Sequence, residues 1–78
     1  MTTDDDIAAA ITALTAARGD KTVCPSEVAR RLAEDWRPLM PAVRRVAGAM
    51  PGVVATQGGI PVDPVAARGP IRLRRRVS

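Results

Sequence analysis

Proline partitions this chain more firmly than any other residue: none occurs in the first 24 residues, and all seven lie beyond them, at 25, 38, 41, 51, 61, 64 and 70. Proline opens a helix readily but disrupts its interior, and it disfavours helical geometry at the residue before it. Only the stretch ahead of Pro25 is therefore open to a long uninterrupted helix. Within it, Ile7, Ile11 and Leu14 recur at helical spacing, while Asp4, Asp5 and Asp6 supply an N-cap and negative charge at the positive end of the dipole. A first helix is expected over 4–18, stopped by Gly19. Pro25 opens a second helix over 25–36 with Val28, Ala29, Leu32 and Ala33 inward; Cys24 stands at its N-cap and Glu27 completes a box-like start. Pro38 ends that helix near Trp36. Pro41 opens a third over 41–50, with Val43, Val46, Ala47 and Met50 inward and Pro51–Gly52 as the stop.

Beyond Gly52 the pattern changes. VVATQ reads as a strand, Gly58–Gly59 as a turn, and IPVDPVAARGP is too rich in proline for a central strand. IRLR then alternates apolar and charged residues at period two, which places Ile71 and Leu73 on one face and Arg72 and Arg74 on the other. The last residues, around Ser78, are expected to fray. Three short helices followed by a hairpin at 53–74 give an α+β fold with the element order of a small winged helix-turn-helix. In that order Thr22 and Val23 form a short extra strand, the third helix takes the recognition position, and 58–70 form the wing.

The core must be small. The chain has 78 residues, one Trp, and neither Phe nor Tyr; a domain near this size buries only about 60% of its unfolded surface. A partner surface or a homodimer contact would add stability where the core is modest. One cysteine forms no internal disulfide, no apolar run approaches a membrane span, and MTTDDDI is acidic where a secretory signal would be basic. A cytoplasmic protein without membrane partners is the expectation.

Charge is segregated. Residues 1–36 hold seven acids and four bases, a net of −3, whereas from Arg37 onward eight arginines face the single acid Asp63, a net of +7. A basic half of this kind points to polyanions. With no His and one Cys, the chain offers no Ser–His or Cys–His pair, no two-His iron site and no zinc cluster, so neither enzyme activity nor a cofactor is expected.

The words CPSEVAR at 24–30, WRPLMPAVR at 36–44 and TQGGIPVDPVAARGPIRLR at 56–74 resemble a family of small bacterial proteins classed only as a domain of unknown function. The resemblance spans Ile7 to Arg74 and implies a winged-helix-like fold. It brings no activity with it.

The candidate nucleic-acid contacts are Arg44 and Arg45 on the third helix, Arg68 in the wing, and Arg72, Arg74 and Arg75 at the closing strand. Helix arginines can contact phosphates or guanine edges. The third helix, however, carries no Asn, Gln, Ser or Thr to read other bases. Duplex DNA bound through about five arginines would show a log–log salt slope of about −4 to −5. The competing reading is a protein-interaction or dimerisation module with no nucleic acid. Arg72 and Arg74 suit the solvated face of any half-buried strand equally well. Trp36 is expected in the core, with a base-stacking platform as its alternative; Cys24 is expected as a buried cap, with a poised thiol as its alternative.

Overall fold

A computed structural model describes residues 2–76, so the expectation for Ser78 lies outside the described residues. The fold is α+β, three helices followed by a three-stranded antiparallel sheet. Helix α1 spans Asp4–Arg18, α2 Pro25–Leu32 and α3 Met40–Ala49; the strands are β1 Val53–Gln57, β2 Ile60–Pro61 and β3 Arg72–Arg75.

Helix α1 has its expected length but a different cap. Thr3 is the N-cap: its hydroxyl accepts the Asp6 N–H at 3.2 Å, and Asp6 accepts the Thr3 N–H at 3.0 Å. Asp4 and Asp5 fill the first turn, where their charge suits the dipole. The α1 face toward the core is Ile7, Ala10 and Ile11, joined by Thr15, whose buried hydroxyl donates to the Ile11 carbonyl at 2.7 Å. That bond satisfies a polar group that burial would otherwise penalise.

Helix α2 stops at Leu32, four residues short of the expected end at Trp36. Continuing it would set Glu34 and Asp35 at the negative end of the dipole; Ala33 instead turns extended, and Glu34 and Asp35 lie exposed. Pro38 then serves as an opener, in a 3-10 turn over Arg37–Leu39 that runs directly into α3. Cys24 does occupy the α2 N-cap position, but its side chain caps nothing and the expected box does not form. Glu27 turns instead to Arg18, 2.8 Å away, tying the end of α1 to the start of α2.

The sheet has β1 at its centre, flanked by β2 and β3. The β1–β3 pairing sets Ala55 opposite Leu73 and Val54 opposite Arg74. Gly58 and Gly59 both have positive φ, as a two-residue hairpin turn requires, and return the chain as β2. β2 is a third strand where a two-stranded hairpin was expected. Its Pro61 is tolerated because β2 lies at the sheet edge. On the far side of β3, Val23 and Leu73 exchange both backbone hydrogen bonds, at 2.7 and 2.8 Å. Where a short strand of Thr22 and Val23 was expected, only this single bridge at Val23 forms, and it stitches the α1–α2 connection to the sheet.

The core lies between the helices and one sheet face. Ile7, Ile11, Val28, Val43, Ile71 and Leu73 are its largest apolar members along with Val23, all essentially sealed from solvent. Leu14, Leu32, Trp36 and Met50 pack against its margin. No helix among the described residues is long and apolar enough to cross a membrane.

Candidate functional site

The six candidate arginines are positioned by three elements: α3, the segment 62–71 between β2 and β3, and β3 itself. With Val43, Val46 and Ala47 turned into the core, helical spacing sends Arg44, Arg45 and Gly48 to the other side. That side is not open along its length. The segment after β2 folds back over it, bringing Pro64 and Val65 onto Gly48; a Cβ at Gly48 would lie 3.3 Å from Pro64 Cγ and 3.6 Å from Val65 Cγ2. Pro64 is buried by this contact.

Arg44 fastens the segment in place. Its Nη1 donates to the Ala67 carbonyl at 2.9 Å and, more weakly, to Pro64 at 3.4 Å, while Nη2 donates to Gly69 at 2.6 Å. Gln57, at the end of β1, adds amide hydrogen bonds to the carbonyls of Arg68 and Pro70. Asp63 caps the turn through Val65 N–H at 2.9 Å. The side chain expected to meet nucleic acid thus has its donors directed at the segment between β2 and β3.

Arg45 points elsewhere. It grips both carboxylate oxygens of Asp4 at the start of α1, at 2.8 and 2.9 Å. The hydrogen bonds from Arg45 hold the Asp4 carboxyl below its ordinary pKa, and the same bonds raise the guanidinium. The pair is exposed.

Among the arginines from 68 onward, Arg72 Nε donates to the Thr22 hydroxyl at 2.8 Å and Arg76 Nε to the Pro51 carbonyl at 2.8 Å. Both are exposed on the surface. Arg68, Arg74 and Arg75 have no hydrogen bond or ion pair from their side chains within the described residues; Arg68 and Arg75 are exposed and Arg74 is half-buried. The structure therefore divides the six candidates: Arg44 and Arg45 are held by other parts of the chain, Arg72 is held by one edge, and Arg68, Arg74 and Arg75 present free charge.

Two further side chains bear on the site. Trp36 packs against the core margin, as expected, and the guanidiniums of Arg30 and Arg37 each lie over its ring, 4.6 Å from the centroid. Two cations on the ring leave it a poor open platform for a base. Cys24 is half-buried and accepts a hydrogen bond from the Ser26 hydroxyl at 3.1 Å.

Helical spacing does not show that Pro64 and Val65 pack on α3, because the contact is between segments far apart in sequence. One signal for it does lie in the chain. Gly48 is a glycine inside a helix, where Ala would be better by about 1 kcal/mol, and such a glycine commonly marks close approach of another segment.

A sequence model of a family described as a protein of unknown function (DUF3253) matches residues 4–76. Comparison with curated proteins yields no match.

Proposed function

The chain belongs to this DUF3253 family of unknown function, and we propose that it is a winged-helix domain that binds duplex nucleic acid weakly, without sequence preference, through the arginines around β3. The order of three helices and a sheet, with Val23 bridged to β3 and β3 paired to β1, supports the winged-helix assignment. The observation that carries the nucleic-acid reading is the free positive charge of Arg68, Arg74 and Arg75, with Arg72 exposed among them. No acid follows Asp63 in the chain.

In this reading α3 is not a base reader. Its side chains offer no hydrogen-bonding amide or hydroxyl, Arg44 is occupied by the wing, and Pro64 packs beside Gly48. Contacts are then to the phosphate backbone, which position a protein without specifying sequence. Three to four arginines predict a log–log salt slope of about −3 to −4. Fluorescence anisotropy with a random-sequence duplex at two salt concentrations tests this; no binding at low salt overturns it.

A second reading, an interaction or homodimer module, is favoured by one observation. Ile60 in β2 and Val65 on the segment packed against α3 are large apolar side chains 68% and 64% exposed. Mass in solution separates the two. A strict monomer that binds DNA argues against the module.

A further inference from the structure

Trp36 gathers two cations that no acid of the chain neutralises. Arg30 reaches the ring from α2 and Arg37 from the 3-10 turn, each guanidinium carbon 4.6 Å from the ring centroid, so the two charges lie within twice that distance of each other. A cation–π contact positions a guanidinium without giving it an acceptor oxygen, and its N–H donors stay unspent. Both arginines are exposed, and neither has a hydrogen bond or ion pair from its side chain among the described residues. Glu34 and Asp35, the acids between them in sequence, are exposed and pair with neither. The indole adds a third donor: Trp36 Nε1 bonds to nothing among the described residues and is open to solvent. By contrast, Arg18, Arg44 and Arg45 all spend donors on oxygens of the chain.

We propose that Arg30, Trp36 and Arg37 form a binding site for a phosphate dianion, either the free ion or the end of a small phosphomonoester. Two fixed cations match a double negative charge, and donors on three separate groups match the several oxygens of a tetrahedral anion; a planar carboxylate is satisfied by one guanidinium alone. The ring holds both guanidiniums in place before the anion arrives, which lowers the cost of ordering them. The site lies on α2 and the turn after it, and it is independent of the nucleic-acid reading of the β3 arginines.

Trp36 is the sole tryptophan, so its fluorescence reports on the site directly. Inorganic phosphate at about pH 8, where the dianion prevails, is expected to give a saturable change in emission that sodium chloride at equal ionic strength does not. No difference between the two salts overturns the proposal. Variants are compared by phosphorus NMR line broadening, because removing an arginine from the ring alters the emission itself, and a thermal melt checks that each is folded. Arg30→Gln and Arg37→Gln are each expected to weaken phosphate binding by about tenfold, the loss of one charge-assisted contact. Arg31→Gln removes the same charge from the same helix but not from the ring, and is expected to leave affinity within about twofold. If Arg31→Gln weakens binding as much as Arg30→Gln, the attraction is diffuse and the site is overturned. Glycerol 3-phosphate is titrated alongside: tighter binding than inorganic phosphate marks a monoester ligand and weaker binding the free ion, and either supports the site.

Discussion

The arginines of α3 and those of β3 carry the same charge within the same basic half, yet their donors go to different places. The reason lies in the backbone beside them. Segment 62–71 contains Pro64 and Pro70, and proline has a carbonyl but no N–H; the segment therefore has more acceptors than donors and little ladder to pair them. Arg44 and Gln57 supply the missing donors from outside. β3 has no such shortage, since its backbone pairs with β1 on one side and with Val23 on the other. Arg72 reaches only Thr22, and Arg74 and Arg75 are left to face solvent or a partner. Counting arginines thus overstates a binding surface wherever a proline-rich loop lies within reach.

Substitutions can break this contrast, and the largest effect is expected at Arg44. Arg44→Ala removes its three carbonyl contacts, two of them short, and should cost about 2–3 kcal/mol, since hydrogen bonds from a charged donor are worth about 1.5–3 kcal/mol each but half-exposed carbonyls recover water. Urea denaturation would show a lower midpoint. Arg44→Lys should recover only part, because an ammonium does not reproduce the planar fork. Next comes Gly48→Leu, which forces Pro64 off α3 and should cost about 1–3 kcal/mol as overpacking; hydrogen exchange should report faster amide exchange at Val65 and Ala67.

At β3 the expectation reverses. Arg74→Gln together with Arg75→Gln should change stability by no more than about 0.5 kcal/mol each, while the salt slope for duplex binding should shallow by about 1.8, two phosphate contacts. A large loss of stability would show that these arginines, like Arg44, serve the fold. The smallest effect belongs to the Asp4–Arg45 pair. The Asp4 pKa is lowered in the folded protein by the Arg45 hydrogen bonds, so its contribution is fully present above the ordinary carboxylate pKa and is lost as pH falls through the lowered value. Asp4→Asn should therefore flatten the acid side of a plot of Tm against pH, slightly and in that direction only.

Much of the helical part was legible because its signals are local. Ile7 and Ile11 announce the inward face of α1, Gly19 its stop, and Pro41 the start of α3. Alternation at Ile71–Arg74 likewise set which β3 side chains enter the core. The errors fall where two local signals compete or where partners are distant. Asp4–Asp6 are good cap residues, but Thr3 stands one place earlier and can pair with Asp6. Pro38 breaks a helix and also opens one, and only the second role is used. β2 was not foreseen because two residues with a proline carry no strand periodicity of their own; β1 recruits them through the Gly58–Gly59 turn.

Charge and face alone single out six arginines as a binding surface. Periodicity determines which way a side chain leaves its element, since that depends on backbone geometry within a few residues. What the side chain then meets depends on segments brought close by folding: Pro64 on Gly48, the carbonyls of segment 62–71 on Arg44, Asp4 on Arg45. The sequence by itself determined the α+β element order, the inward faces and the segregation of charge. Only the tertiary structure decided which charges remain free, because a guanidinium near unpaired acceptors makes hydrogen bonds within the chain before it meets anything outside.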